Sequence, residues 1–228
     1  MVAIVYWILI TLALTTGTMV LSKRYGSAFV IAIYTGFIVM AQIFAAKLVV
    51  FGNWVVPAGV IVYGISFLLT DVLNEFYGKE EAKKALVSGF VSSIFLVLGI
   101  QIVIAWEPAV FWPNQEALVT VLGATWRIVL ASLVAYLISQ SWDIYVFQLL
   151  RAKTNGKYLW LRNLASTISS QLIDTLIFCV IAFAGYLATS DLVIVIQGQL
   201  AVKFLIAILD TPFLYGIRLF LKKEVEVA

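Results

Sequence analysis

Residues 163–186, NLASTISSQLIDTLIFCVIAFAGY, form a segment that is long and apolar enough to cross a lipid bilayer, yet its first half carries a regular polar pattern. The polar residues are spaced i, i+3, i+4, i+7, i+8 and i+11, which places them on one face of an α-helix. This polar stripe consists of Asn163, Ser166, Thr167, Ser170, Gln171 and Asp174. At about 1.5 Å per residue, Asp174 lies roughly 16 Å along the helix, near the middle of a hydrocarbon core about 30 Å thick. The pattern predicts a polar helix face that ends at a carboxylate at half depth.

The composition of the whole chain indicates an integral membrane protein. Of its 228 residues, 63% are hydrophobic and 12% are charged, whereas soluble domains carry about 25% charged residues. There is no histidine, and the single cysteine, Cys179, lies in an apolar run where we interpret it as a packing residue. These counts exclude disulfides within the chain, imidazole metal sites and Ser-His or Cys-His catalysis. We therefore expect no cofactor, no metal and no enzymatic activity.

Seven apolar stretches are each long enough to span a membrane. They comprise residues 2–21, 27–51, 57–76, 85–106, 118–150, 163–186 and 192–221. The sequence therefore predicts an all-α, polytopic membrane protein in which residues 1–228 form one domain of seven transmembrane helices. The first stretch lacks a basic leader and a small-residue cleavage site, so we interpret it as a retained helix and not as a signal peptide.

The basic residues of the loops and termini predict the orientation. They all follow the first, third, fifth or seventh stretch, and they are Lys23, Arg24, Lys79, Lys83, Lys84, Arg151, Lys153, Lys157, Arg162, Arg218, Lys222 and Lys223. The intervening loops 52–56, 107–117 and 188–191 contain no lysine or arginine. By the positive-inside rule, the N-terminus lies outside the plasma (cell inner) membrane and the C-terminus is cytoplasmic. The polar stripe then occupies the cytoplasmic half of its helix.

Ionisable residues inside the apolar stretches suggest a polar interior. These residues are Lys47, Asp71, Glu75, Arg127, Asp143, Asp174, Lys203 and Asp210. A charge near a helix centre costs on the order of 2.5–3.5 kcal/mol to insert, so we expect these side chains to face one another or a wet cavity. Lys203 is the natural counter-charge for Asp174, either as a structural ion pair or as a pair that opens for a ligand. Such a protein moves a polar solute or performs chemistry inside the membrane.

Asp71 and Glu75 are spaced i, i+4 and share one helix face. One interpretation is a helix end that the lysines of the following loop neutralise. The other is a carboxylate pair that binds a proton or a donor-rich ligand. In the second stretch, Lys47 extends to the interface or faces the cavity together with Gln42. For Asp143 we expect a structural or gating role.

A short internal similarity suggests a duplication. LTDVL at residues 69–73 resembles LIDTL at residues 172–176. If the match is not due to chance, residues 27–106 and 118–221 are inverted three-helix repeats, a common plan among transporters. Residues 1–22 would then be an extra helix outside a six-helix core.

Four motifs resemble the queuosine-precursor transporter family, also called the VUT family of integral membrane proteins. They are TDVLNEFYGKEEAKK, SWDIYVFQLLR, STISSQLIDTLIF and KFLIAILDTPFLYG, and the resemblance covers residues 42–216. Family members are six-helix proteins that import 7-deazaguanine bases used to make modified tRNA nucleosides, so the first helix is a departure. The resemblance implies a substrate-binding role for Lys47, Asp71, Glu75, Gln171, Asp174 and Lys203.

The chemistry of that substrate suits these residues. A carboxylate accepts the adjacent N–H groups of a deazaguanine edge, and a glutamine amide meets the neighbouring carbonyl. Phe178, one turn beyond Asp174, offers a ring face or is ordinary packing. Gln42 and Ser170 complete the expected site. We expect import of a queuosine or archaeosine precursor (preQ0, preQ1 or queuine) by alternating access at a midplane site, with no nucleic-acid partner and with homo-oligomerisation open.

Other functions remain open from the sequence. The chain lacks a GxxxxGK[ST] motif, so it does not hydrolyse ATP by itself. It could instead be the substrate-binding membrane subunit of a larger ATP-driven importer, or it could carry another purine-like solute. Two alternatives from other classes are an intramembrane enzyme with Asp71 and Glu75 as acid and base, and a structural or assembly protein.

Overall fold

The computed structural model describes residues 2–45, 47–51, 54–123, 126–185 and 188–221, and these are almost entirely helical. The helices are α1 (Val2–Tyr25), α2 (Ser27–Phe44), α3 (Val60–Val72), α4 (Lys79–Ala105), α5 (Gln115–Leu118), α6 (Trp126–Lys153), α7 (Leu159–Phe183) and α8 (Thr189–Leu221). Two π-helical turns, Leu73–Tyr77 and Val119–Gly123, extend α3 and α5. The expected all-α architecture is confirmed.

Six helical stretches are long and apolar enough to cross a membrane. They are Ser27–Phe44, Val60–Tyr77, Lys79–Ala105, Val129–Lys153, Leu159–Phe183 and Thr189–Ile206. Helix α1 contains a shorter apolar run, Ile8–Met19. The chain is a polytopic membrane protein, while the expected total of seven spans stays a prediction, as does the interpretation as inverted repeats.

The predicted end of the second stretch is wrong. Helix α2 ends at Phe44, and two strands, β1 (Leu48–Phe51) and β2 (Trp54–Pro57), pair in antiparallel fashion before α3. The sequence of the hairpin explains it, because the β-rich runs LVVF and WVVP flank the turn dipeptide Gly-Asn. Hydropathy alone does not separate such strands from a helix end.

A close approach holds the hairpin against α8. A Cβ added at Gly198 would lie 3.0 Å from the Cβ of Trp54 and 3.3 Å from the carbonyl oxygen of Val55. Glycine is therefore the residue that lets this strand pack directly on the helix. The hairpin thereby becomes part of the helical bundle at the end where α2 finishes and α3 begins.

Other helix limits also differ from the prediction. The fifth stretch is divided, because α5 and a π-helical turn precede α6, which begins at Trp126. Helix α4 begins at Lys79, where i, i+3 ion pairs support its first turns: Lys83 with Glu80 at 3.1 Å and Lys84 with Glu81 at 2.5 Å. Helix α7 begins at Leu159, so Arg162 belongs to a helix and not to a loop.

The helices surround a buried centre. Helix α3 is buried on almost all sides, whereas most of α4 is exposed, as expected for a helix that faces lipid. Helix α7 packs between α6 and α8, and α3 packs against α2 and α8. The Tyr34 and Tyr136 hydroxyls are 2.5 Å apart, and Tyr136 also donates to the Leu86 carbonyl at 3.0 Å, which ties α2, α4 and α6 together. The interior of α3, α6, α7 and α8 is therefore where polar side chains meet.

Candidate functional site

Asp174 lies where four helices meet. Its Oδ1 accepts hydrogen bonds from the Tyr63 hydroxyl on α3, at 2.7 Å, and from Ser139 Oγ on α6, at 3.0 Å. Its Oδ2 accepts from Lys203 Nζ on α8, at 2.5 Å. The residue is 4% exposed. The expected pairing of Asp174 with Lys203 is present, and it is buried at the centre of the bundle.

The ion pair retains hydrogen-bonding capacity. Lys203 also donates to Thr175 Oγ1 at 3.0 Å, and its Nζ lies 5.4 Å from the centre of the Tyr63 ring. Two of the three ammonium hydrogens are therefore used within the described residues, and Oδ2 of Asp174 accepts one bond there. An ammonium has three donors and a carboxylate oxygen accepts about two bonds, so the pair offers one donor and one acceptor site to a ligand.

A cavity extends from this ion pair toward the C-terminal end of α2 and the hairpin. Its volume is about 60 Å³. Besides Asp174 and Lys203, its wall carries the polar side chains of Gln42, Tyr63, Ser132 and Gln199 and the ring of Phe178. The cavity thus combines donors, acceptors and two aromatic rings in an otherwise apolar bundle, which is the composition of a small-molecule site.

Of the expected site residues, Asp174, Lys203, Gln42 and Phe178 line the cavity. Lys47 does not line it, since its side chain is exposed beyond the end of α2. The structure thus separates Lys47 from Gln42, because α2 ends at Phe44, between them, and Lys47 lies directly before β1.

The part of the polar stripe that precedes Asp174 is closed in this structure. Asn163, Ser166, Thr167, Ser170 and Gln171 are between 0% and 1% exposed. Only the Asp174 end of the stripe reaches the cavity. The stripe is therefore a buried helix–helix contact in this conformation, and Ser170 and Gln171 do not line the cavity.

Glu75 forms an ion pair with an arginine and not with the lysines that follow it in the sequence. Arg162 Nη2 donates to Glu75 Oε2 at 2.7 Å, and the arginine is fully buried. Its guanidinium lies 5.5 Å from the centre of the Phe147 ring. Asp71 is also fully buried. Arg162 occupies this place because α7 begins one turn before the predicted start and carries the side chain inward.

Sequence reasoning missed the groups that hold Asp174. Tyr63 and Ser139 come from α3 and α6, and Thr175 is the neighbour of Asp174 in the chain. Ser139 could have been found from the sequence, because its hydroxyl lies one helical turn from Asp143 and on the same polar face of α6. Nothing in the sequence near Tyr63 indicates its contact with α7.

A bundle of apolar helices with a buried ion pair under a polar cavity belongs to the class of multi-pass membrane transport proteins. The family model described as "Putative vitamin uptake transporter" matches residues 57–217, and the chain belongs to this family. The resemblance of the four motifs is thereby confirmed, and family membership makes the chain a transporter and not an enzyme.

Two curated relatives carry the same name. A Bacillus subtilis (strain 168) protein named "Probable queuosine precursor transporter" is 38% identical over 159 residues, which cover 69% of each chain. A Haemophilus influenzae protein of that name is 28% identical over 130 residues, 55% of this chain and 51% of the relative. No solved structure matches.

Proposed function

We propose that this chain imports a queuosine precursor, a 7-deazaguanine base such as preQ0, preQ1 or queuine, across the cell inner membrane. The observation that carries the proposal is the Asp174–Lys203 pair, which retains one donor and one acceptor site at the base of a cavity with aromatic walls. The names of the two relatives support the same substrate class.

The recognition chemistry follows from the groups at the cavity. The ring N–H and exocyclic amine of a deazaguanine edge are adjacent donors, and Oδ2 of Asp174 can accept both once Lys203 has turned away. Tyr63 and Ser139 hold that carboxylate in place while Lys203 turns to the carbonyl oxygen of the base. Phe178 offers its ring to the flat face of the ligand. Asp174 therefore binds the base directly, and Lys203 serves as its counter-ion until the base arrives.

Alternating access fits the asymmetry between the two ends of the bundle. The cavity lies toward the hairpin, at the end whose described loops contain one basic residue, Lys47, and by the positive-inside rule this end faces outward. The opposite end is held by an inner seal of three contacts. They are Arg162 to Glu75 at 2.7 Å, Gln148 Nε2 to Asn74 Oδ1 at 2.9 Å, and Arg151 Nη1 to the Asn74 carbonyl at 2.8 Å.

The inner seal joins the π-helical turn Leu73–Tyr77 to α6 and α7. π-helical turns are rare and occur frequently at functional sites. In the proposed cycle the seal opens when the outer cavity has closed around the base. The polar stripe then becomes the wall along which the base leaves toward the cytoplasm.

The test is uptake of a radiolabelled deazaguanine by the purified chain in liposomes. We expect Asp174→Asn to abolish uptake, because an amide cannot accept both donors of the base, while protein stays in the membrane. The matched control is Asp191→Asn, which changes an exposed carboxylate in the first turn of α8. Normal uptake by Asp174→Asn would refute the proposed site, and transport only in the presence of an added ATPase would favour the subunit of an ATP-driven importer.

A thermal-shift panel identifies the ligand independently. It compares the cyano and aminomethyl bases, queuine, guanine and a nucleoside on the detergent-purified chain. A ligand at one hundred times its Kd stabilises the folded state by about 2.7 kcal/mol. Stabilisation by guanine but by none of the deazapurines would replace the substrate class with another purine-like solute.

A further inference from the structure

Helices α6 and α7 carry the same short motif at the same depth. SQSWD occupies residues 139–143 and SQLID occupies residues 170–174. The spacing places the serine and the aspartate of each motif on one helix face. The two faces meet reciprocally, because Ser139 Oγ donates to Asp174 Oδ1 at 3.0 Å and Ser170 Oγ donates to Asp143 Oδ1 at 3.0 Å. Each aspartate is thus held by the serine of the other helix.

The two halves of this arrangement differ in charge. Asp174 has Lys203 as its counter-ion. Asp143 is 0% exposed, and within the described part of the chain no salt bridge reaches it and its Oδ2 has no hydrogen-bond partner. The fully buried amides of Gln140 and Gln171 likewise have no hydrogen-bond partner among the described residues, so the surroundings are polar and not a packed apolar core.

The titratable groups around Asp143 supply no cation to it. They include Tyr34 of α2, which interacts electrostatically with Asp143 and is bonded to Tyr136 of α6, and Asp174 of α7, which the reciprocal serines bring to the same helix contact. On α8, the ammonium of Lys203 is bonded to Asp174 and Thr175. On the π-helical turn, Glu75 is bonded to Arg162. An ionised carboxylate that is buried without a counter-charge costs several kcal/mol, which favours neutralisation by a bound proton.

The hydroxyls around Asp143 suit a protonated carboxyl group. Ser170 has one hydrogen and two acceptors, Asp143 and the Thr167 carbonyl at 3.1 Å. If Asp143 carries a proton, it donates to Ser170, and Ser170 donates to the carbonyl, so both bonds are made. The hydroxyls of Thr70 and Ser166 also lie near Asp143, and they donate to the Phe67 and Asn163 carbonyls at 2.8 and 3.3 Å.

We propose that Asp143 is a proton-binding site and that its proton is coupled to transport at Asp174; the coupling rests on the proposed function. An O–H bond forms at Asp143 Oδ1, the oxygen that faces Ser170, with a proton from the outer side, and the same bond breaks when the proton is released to the cytoplasm. A metal cation would need several oxygen ligands, whereas a proton needs one. We assign the site to a proton, and sodium is the alternative that the transport experiment tests.

The reciprocal serines explain how the two sites communicate. Ser139 lies one turn from Asp143 on α6, and Ser170 lies one turn from Asp174 on α7. Loss of the proton leaves a charge on Asp143 that needs the hydrogen of Ser170, so Ser170 turns away from the Thr167 carbonyl and the α6–α7 contact rearranges. The same contact positions Asp174 through Ser139. Occupancy by a proton and occupancy by the base are therefore linked.

Infrared difference spectroscopy tests the proton site without any substrate. We expect purified protein to show the C=O stretching band of a protonated carboxylic acid that moves in D₂O. The band is lost in Asp143→Asn and kept in Glu116→Gln, a matched change at an exposed residue. If Asp143→Asn fails to fold, Ser170→Ala provides the second variant, and it should shift the pH at which the band titrates. An unchanged band in both variants would overturn the proposal.

Liposome transport tests the coupling. With a pH gradient of one unit, alkaline inside, one coupled proton allows about tenfold accumulation of a neutral base. We expect Asp143→Asn to exchange labelled for unlabelled base but to accumulate none beyond equilibrium. Accumulation by this variant, or accumulation driven by sodium instead, would overturn the coupling. Absence of exchange by the unaltered chain would refute the proposed function alone, because the infrared band still decides the proton site.

Discussion

Removal of Lys203 should reveal how strongly the central ion pair holds the bundle together. The side chains of Lys203 and Asp174 are 3% and 6% exposed, and Lys203→Met removes bonds of 2.5 and 3.0 Å while keeping the bulk of the chain. Breaking a buried pair by deleting one partner costs about 3–5 kcal/mol, because the other charge remains uncompensated. Tyr63 and Ser139 still donate to Asp174, so we expect the lower value, about 3 kcal/mol.

A second substitution separates charge from packing. Asp174→Asn in the Lys203→Met background removes the unpaired charge at nearly constant shape, so the double variant should lose only about 1 kcal/mol relative to the unaltered chain. The double variant should therefore be about 2 kcal/mol more stable than Lys203→Met alone. At about 2–4 °C per kcal/mol, Lys203→Met alone should lower Tm by about 6–12 °C.

The assay is thermal unfolding of detergent-purified variants, followed by tryptophan fluorescence. The matched control is Lys83→Met, because Lys83 forms an exposed i, i+3 pair with Glu80 whose loss costs at most about 0.5 kcal/mol. A Lys203→Met variant as stable as this control would refute the reasoning. A double variant that is less stable than Lys203→Met would also refute it, because the unpaired charge of Asp174 would then not be the source of the lost stability.

Three further variants examine the surroundings of the pair. Tyr63→Phe removes a hydrogen-bond donor to the buried carboxylate of Asp174 and should lower the free energy of unfolding by about 1.5–3 kcal/mol. It should also raise the KM for the deazapurine, and an unchanged stability and KM would contradict the contact. Glu75→Gln leaves Arg162 buried without its counter-charge, so we expect the inner seal to open. In a chain that also carries Ser170→Cys, a maleimide added from the cytoplasmic side should then label the cysteine, whereas the control Glu80→Gln should leave it unlabelled. Gly198→Leu should push the hairpin from α8 and lower stability by about 1–3 kcal/mol, whereas Gly99→Leu, where an added Cβ meets nothing within 4 Å, should not.

The fold was largely predictable because a bilayer imposes strong rules on any sequence. Apolar stretches near 20 residues long must be helical when backbone groups have no water to bond. Prediction failed at the end of α2, where LVVF is apolar enough to extend a span but forms a strand that pairs with WVVP. Their β-branched residues and the Gly-Asn dipeptide were the available signal, and hydropathy does not use it.

The candidate site was predictable only in part. Pairing of Asp174 with Lys203 follows from energy alone, because two opposite charges at half depth cost less together than apart. The partner of Glu75 was not predictable in this way, since Lys79, Lys83 and Lys84 are nearer in sequence than Arg162. The choice depends on where α7 begins and which way its first turn points.

The sequence by itself determined that this is an all-α membrane protein with a polar helix face ending at Asp174, because periodicity and hydropathy are local properties. Only the tertiary structure decided that Tyr63, Ser139 and Lys203 converge on that carboxylate, and that the stripe is closed on one side while a cavity is open on the other. Those features depend on the rotation and depth of each helix relative to its neighbours, and packing between helices sets both.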